Sequence, residues 1–279
     1  MIQPMLARPP TATSPSLDET LTSTDWIVQR KYDGARALFH LSEEGTSIRS
    51  RTGQDFGPQF PELLDLHLRI PTPCLLDGEV LVMDDQGRDS LERLQLRIQD
   101  KQARRREEIP VTAVFFDALA VDYRDISGYA LEDRLEALGE LLEGTDFQPP
   151  EDVAAVAPEW EGAVAKRRGS TYRFGKRSSD WLKFKVTQRA TVRATGITKG
   201  NGARSDSFGA VTFEDAEGVH RGQVGTGFSD ADIEAVLSWA ESGEWPLVEI
   251  EYASISKTGL LIHTRYKGVR SDKTEADRV

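Results

Sequence analysis

Cysteine is all but missing: Cys74 is the single one in 279 residues, which excludes an intrachain disulfide and any cysteine-based metal centre and fits a reducing compartment. Histidine is scarce as well, and His40, His67, His220 and His263 are scattered without the spacing of metal ligands. No stretch approaches the roughly 20 apolar residues of a membrane span. The first ten residues lack the apolar segment of a signal peptide. A cytoplasmic chain with no membrane partner is therefore expected. No internal repeat appears. With 38% hydrophobic and 29% charged residues the composition is that of a soluble globular protein, long enough for two compact domains.

Net positive charge is also lacking. At −11 the chain argues on average against a polyanionic partner. The average conceals a segregation, because from Gly162 to Arg204 twelve Lys and Arg residues stand against Asp180 alone, a local +11. That is the footprint expected of a nucleic-acid-binding face on an acidic body. Only ten of the basic residues are lysines, and one of them leads Lys31-Tyr32-Asp33-Gly34-Ala35-Arg36, where a turn-forming Asp-Gly separates two β-prone runs. A lysine there is aimed. To act as a nucleophile it needs neighbouring cations or a metal that favour the free amine.

Met1 to Thr24, rich in Pro, Ser and Thr, is expected to be an irregular leader. Strands are predicted at Ile27 to Lys31, Arg36 to Leu41 and Thr46 to Arg49, and the loop Ser50-Arg51-Thr52-Gly53 can return an arginine to the Lys31 turn. A helix is predicted from Pro61, with Leu63, Leu64, Leu66 and Leu68 for packing. Cys74 to Met83 is a buried-looking strand interrupted by Asp77 and Glu79, two carboxylates that need a cation, hydroxyl or metal. Leu91, Leu94 and Ile98 have helical spacing behind Asp89 and Ser90, with Arg104 to Glu108 as that helix's solvated end. Val111 to Val121 is an apolar strand, and Leu131, Leu135, Leu138 and Leu142 form an amphipathic helix stopped by Gly144, Pro149 and Pro150. In Trp181 to Val186 the alternation puts Lys183 and Lys185 on one strand face. From about Thr187 short strands (Thr191 to Thr198, Ala210 to Phe213, His220 to Val224, Leu247 to Ile255, Leu260 to Arg265) surround one helix capped by Ser229 and stopped by Gly243, a pattern that suggests a small OB-type barrel.

The ordered motifs Lys31 to Arg36, Ser50 to Gly53, Asp77-Gly78-Glu79, Phe115-Phe116-Asp117, Glu161 to Lys166, Trp181 to Lys185 and Arg270 to Lys273 resemble those of ATP-dependent DNA ligases of the nucleotidyltransferase superfamily, most closely the ligase domain of bacterial end-joining ligases. The resemblance spans Pro4 to Lys273 and is closest over Glu161 to Lys185. It implies an α+β fold: an adenylation (nucleotidyltransferase) domain of antiparallel sheets with helices over 1–187, then an OB-fold β-barrel domain over 188–279. It also implies an enzyme that seals nicks in duplex DNA through a lysyl-AMP and a 5′-adenylated DNA, with ATP and Mg²⁺ or Mn²⁺ as cofactors, in repair or end joining. A monomer is expected, and a Ku-like end-joining factor is a partner the resemblance allows.

Carried over by position, Lys31 is the nucleophile, Arg36 and Arg51 contact nucleotide or nick phosphate, and Phe116 stacks on adenine. Glu79 holds the ribose and with Glu161 serves the metal, while Lys166, Arg177, Lys183 and Lys185 gather around the phosphates. Arg270 and Lys273 orient pyrophosphate. Gln29, also placed at the nucleotide, stands where the family usually has Glu, and Glu159-Trp160 replaces a usual Gly-Leu. Outside every motif, Arg193, Lys199 and Arg204 are the expected grips on duplex phosphates. An RNA ligase or capping guanylyltransferase, or a non-catalytic OB-type binder, are the alternative readings. The Ser-Arg-Thr-Gly loop favours DNA over the first, and the intact Lys31, Glu79, Glu161, Lys183 and Lys185 argue against the second.

Overall fold

The computed structural model describes residues 2–84, 86–200, 207–256 and 258–279. The chain divides into two compact units, Met1–Lys185 and Val186–Val279. In the first unit the strands are β1 (Leu6–Arg8), β2 (Trp26–Lys31), β3 (Ala35–Ser42), β4 (Gly45–Ser50), β5 (Cys74–Leu81), β6 (Thr112–Val121), β7 (Arg124–Asp125), β8 (Gly162–Arg167) and β9 (Arg177–Lys185). Its helices are α1 (Leu17–Thr22), α2 (Leu66–Arg69), α3 (Leu91–Gln99) and α4 (Leu131–Leu142). The strands make a four-stranded sheet ordered β1-β9-β8-β2, in which only β1 and β9 run parallel, and a five-stranded antiparallel sheet ordered β4-β3-β5-β6-β7.

Strand alternation assigns the faces. On the four-stranded sheet Trp26, Val28, Ala163, Ala165, Leu182 and Phe184 form one apolar face, covered by Leu17 and Leu21 of α1 and by Val153 and Val156. On the five-stranded sheet Ala37, Phe39, Leu76, Val80, Ala113 and Phe115 pack with Leu138, Leu141 and Leu142 of α4 into the main core. The opposite faces of the two sheets meet through a smaller cluster of Met5, Leu38, Leu119, Tyr172 and Trp181. The side chains that remain on those inner faces are the polar ones.

The second unit contains β10 (Gln188–Lys199), β11 (Phe208–Glu214), β12 (His220–Val224), α5 (Asp230–Ser242), β13 (Leu247–Tyr252), β14 (Ser254–Ile255), β15 (Leu261–Ile262) and β16 (Arg265–Val269). The order β12-β11-β10-β13-β16 is antiparallel throughout, with β14-β15 as a separate ribbon. Ser229 and Asp232 form a capping box on α5, and Gly243 at φ +74° ends it. Val236 is buried among Val192, Val248, Ile250 and Phe213. Among the described residues no helix is long and apolar enough to cross a membrane.

Several local expectations are corrected. The leader is ordered: β1 pairs with β9, and α1 begins at a Ser16–Glu19 capping box. The predicted helix from Pro61 is one 3-10 turn at Pro61–Leu63 followed by the single turn of α2, and Leu64 and Leu68 are exposed because that segment is too short to present a continuous stripe. α3 stops at Gln99, so Arg104 to Glu108 lie in turns beyond a positive-φ residue, Ala103, instead of ending the helix. The predicted strands at Leu247 to Ile255 and Leu260 to Arg265 are each broken, and β16 runs on to Val269.

Asp77 and Asp117 face each other across β5 and β6, both fully buried. Like charges so placed repel. Arg134 of α4 resolves Asp117 with two hydrogen bonds, of 2.8 and 2.9 Å, and its own side chain is fully buried. Arg134→Ala should cost about 3–5 kcal/mol by leaving a buried acid unpaired, whereas the double variant Asp117→Leu/Arg134→Leu should recover most of it. Urea unfolding of the two variants checks both expectations.

Candidate active site

Three cross-strand rows on the inner face of the four-stranded sheet set out the site. Lys31, Gly162 and Lys185 form the first, Gln29, Val164 and Lys183 the second, and Ile27, Lys166 and Trp181 the third. Gly162 must be glycine: its φ is +155°, and a Cβ there would collide with the Phe184 carbonyl. Bare backbone between the two lysines leaves room for Glu161, whose carboxylate accepts a hydrogen bond from Lys31 Nζ and lies 3.6 Å from Lys185 Nζ. The Lys31 turn is pinned from behind by Asp89, which pairs with Arg30 and accepts from the Asp33 N–H at 2.6 Å. Gly34 lies so close to Leu81, the Val80 carbonyl and Glu79 that no side chain fits there.

The facing wall comes from the five-stranded sheet. Phe116 occupies the extra position of a β-bulge between the pairs Asp77–Asp117 and Gly78–Phe115, which turns its ring inward. Arg36 grips Asp77 with two bonds of 2.5 Å, donates to the Met5 carbonyl at 3.2 Å, and lies 4.7 Å above the Phe116 ring. Tyr172 donates to Asp77 at 2.5 Å and its oxygen accepts from the Met5 N–H at 2.9 Å. Burial would lower the Arg36 pKa, but the Asp77 charge and hydrogen bonds outweigh it and raise the value further. Burial, reinforced by Asp77, likewise raises Tyr172 well above its ordinary value.

Lys166 is buried under the same wall. Its Nζ donates to the Phe116 carbonyl at 2.9 Å and lies 4.6 Å from the Phe116 ring centroid and 4.4 Å from that of Trp181. Burial pulls its pKa down to about 7. Gln29 Nε2 donates to the Pro150 carbonyl at 3.0 Å, which fixes the amide orientation and leaves Oε1 a buried acceptor without a partner among the described residues. Burial, then the neighbouring Arg177, Lys31 and Lys185, lowers the pKa of Lys183.

These groups surround a cavity of about 490 Å³. Gln29, Lys31, Arg36, Arg51, Glu79, Phe116, Lys166, Arg177 and Lys183 line it, with Leu6, Ala7 and Trp181 among the other walls. Glu161 and Lys185 join it through Lys31. The loop carrying Arg51 is tied back by the bond from its N–H to the Arg36 carbonyl at 3.1 Å, with Gly53 at φ +86° closing the turn. The remaining predicted residues lie in the second unit. Arg270 pairs with Glu249 at 2.6 Å and Asp272 at 2.8 Å, and Lys273 with Asp277 at 2.8 Å. Arg193 and Lys199 are exposed on β10, and Arg204 lies outside the described residues. Sequence reasoning missed Tyr172 and Arg134, whose roles follow only from the acids they reach, and Met5, whose backbone meets Tyr172 and Arg36. Of the two residues ahead of α3, Ser90 is its cap, and Asp89 instead holds the Lys31 turn.

Among the described residues no three His, Cys, Asp or Glu side chains form a self-sufficient metal cage. The local charge nevertheless suits a cation. Burial raises Glu79 to about 7, and burial followed by the Glu161 charge raises Asp33. One or two carboxylates, completed by water and ligand phosphates, is how Mg²⁺ is commonly held, so Glu161 and Glu79 fit such an ion.

Residues 4–185 match the model of the ATP-dependent DNA ligase domain. The chain belongs to that family. Across 295 aligned residues it is 28% identical to the multifunctional non-homologous end joining DNA repair protein LigD of Mycobacterium tuberculosis H37Rv, covering 93% of this chain and 38% of that one. A DNA ligase of Natronomonas pharaonis is 29% identical over 312 residues, covering 99% of this chain and 56% of the relative. The chain thus spans well under two thirds of the length of these ligases. Among solved structures, a mycobacterial DNA ligase D complexed with ATP and MES is similar at a TM-score of 0.59 and 26% identity, covering 98% of this chain and 96% of that one. The first unit accordingly has the mixed, mostly sheet fold of a ligase adenylation domain.

The buried Lys166 generates a pH test. Its folded pKa is below the unfolded one, so between about 7 and 10.5 the unfolded chain holds the extra proton and stability rises with pH. Lys166→Met should remove that rise, which is at most about 1.4 kcal/mol per pH unit. Urea midpoints of both proteins at pH 7 and pH 9 measure it.

Proposed function

We propose that this chain is an ATP-dependent DNA ligase that seals nicks in duplex DNA in repair or end joining, through a lysyl-AMP on Lys31 and a 5′-adenylated DNA. The observation that carries the reading is Lys31 Nζ hydrogen-bonded to Glu161 in a cavity with a cationic rim at one end and an aromatic wall at the other. A nucleotide fits this polarity, with its base at Phe116 and Trp181 and its phosphates toward Arg51, Arg177, Lys183 and Lys185. The Gln29 acceptor suits a base amino group. Lys166, beneath Phe116, belongs with the base wall more than with the phosphates.

In the first step the Lys31 amine, having lost its proton to solvent, attacks the α-phosphorus of ATP. An N–P bond forms, the bond to the β-phosphate oxygen breaks, and pyrophosphate leaves with the electron pair. In the second an oxygen of the DNA 5′-phosphate attacks the same phosphorus and Lys31 departs as the amine, regaining a proton. In the third the 3′-hydroxyl attacks the 5′-phosphate, loses its proton and expels AMP. Phosphoryl transfer depends on positioning and charge neutralisation, which the fixed cations supply. A divalent ion at Glu161 and Glu79 would add charge neutralisation on phosphate oxygens.

The second unit is read as the OB-type domain, with the boundary between the proposed adenylation and OB domains near residue 187. Arg193 and Lys199 are assigned to duplex phosphates, and Arg270 and Lys273 to pyrophosphate, for which they must exchange their present acid partners. The protein is assigned to the cytoplasm as a monomer, and a Ku-like factor is a candidate partner for end joining.

With labelled ATP and Mg²⁺ the protein should become covalently labelled by one AMP, and Lys31→Ala should not. Uptake by the alanine variant at the wild-type level would remove Lys31 from the nucleophile's role. Arg270→Ala/Lys273→Ala should slow self-adenylation at least tenfold while largely sparing the sealing of a nick that is already adenylated. Equal loss of both reactions would contradict the assignment.

A further inference from the structure

The basic segment read from the sequence divides in the structure, and several of its cations are already engaged. Lys166 is buried, Lys183 and Lys185 belong to the cavity, and Arg168 pairs with Asp152. What remains on the first unit gathers where β1 adds itself to β9. Leu6 pairs with Arg177 and its N–H bonds the Lys176 carbonyl; Gly175 N–H bonds the Gln3 carbonyl. Arg8 enters from β1, Arg173 and Lys176 from the turn before β9, Arg177 from β9 itself, and Arg167 from the end of β8. Asp180 is the acid among them, 3.6 Å from Arg167 and 3.8 Å from Arg173, and it also accepts from Ser178. Among the described residues neither Arg8 nor Lys176 has an acidic partner. Arg173 and Lys176 are exposed.

This edge is continuous with the cavity mouth, because Leu6, Ala7 and Arg177 line the cavity. Any strand end delivered to Lys31 must bring the neighbouring duplex across an adjoining surface. In a chain of net charge −11 a polyanion is held only where the local sign is reversed. We infer that Arg8, Arg173 and Lys176 form a duplex-DNA phosphate surface on the β1–β9 edge of the first unit, separate from the contacts assigned to β10. The inference rests on the ligase reading, which supplies the duplex. The opposing explanation is that the charges merely protect an exposed sheet edge from pairing.

Binding of the full chain to a nicked duplex with a 5′-phosphate, followed by fluorescence anisotropy at several NaCl concentrations, tests it. Arg8→Ala/Arg173→Ala/Lys176→Ala should flatten the slope of log affinity against log salt by roughly two to three units, equally for two unrelated sequences, with self-adenylation at the wild-type rate. The charge-conserving set Arg8→Lys/Arg173→Lys/Lys176→Arg should keep the wild-type slope. An unchanged slope in the alanine variant overturns the inference and leaves edge protection. So does a charge-conserving variant that loses as much as the alanine one, or a loss of adenylation that parallels the loss of binding. Wild-type protein that forms no adenylate would defeat the ligase reading alone, since the salt slope would still report on this surface.

Discussion

Asp77 is the point on which the first unit turns. A carboxylate with no exposed surface is tolerable only when it is paired and hydrogen-bonded. Three chain segments answer this one: Arg36 from the neighbouring strand, Tyr172 from the loop before β9, and, through both of these, the Met5 backbone near the N-terminus. The same arginine roofs Phe116, so the group that neutralises the acid also holds the aromatic wall. Breaking that grip would release the strand, the strap and the wall together.

Around this anchor, polar and apolar functions are separated by strand alternation alone. The outer faces carry ordinary core, and the inner faces carry either the Met5–Trp181 cluster or the cavity residues. Local exceptions are confined to places where a side chain has to be redirected or omitted. The bulge aims Phe116, while Gly34 and Gly162 let backbone approach where any other residue would intrude. Such departures concentrate around the site because the site needs convergence that regular sheets do not supply.

Much of this was legible in the residues. Period-two patterning located Lys183 and Lys185 on one face, and the presence of Asp77 in an apolar strand announced the partners found in Arg36 and Tyr172. Ser229 and Gly243 marked the ends of α5. What escaped was information that lies in pairing register or long-range contact. That Asp77 belongs to Arg36 and Asp117 to Arg134 depends on which strands are neighbours and on an arginine seventeen residues downstream of Asp117. The N-terminal stretch looked irregular because a three-residue strand and a six-residue helix are too short to show a period. Lys166, grouped with the phosphate cations by its motif, is set in the row with Trp181 by the register of β8 against β9.

The row that holds Lys31 also dictates when the site can come into being. Lys31 faces Gly162 and beyond it Lys185, and β1 finds its partner in β9. The Lys31–Gly162 and Leu6–Arg177 pairings each close a loop of well over a hundred residues, an entropic cost that local helices and hairpins do not bear and that slows folding. The hairpin of β3 and β4 can form early from adjacent chain, but it contributes neither Lys31 nor Glu161. Lys31 acquires its hydrogen-bonded carboxylate when β8 pairs with β2, and the Lys185 ammonium beyond Gly162 only when β9, the last strand of the unit, is in place. Until β2, β8 and β9 have paired, Lys31 is an ordinary side chain, and its surroundings are a report that the four-stranded sheet has assembled.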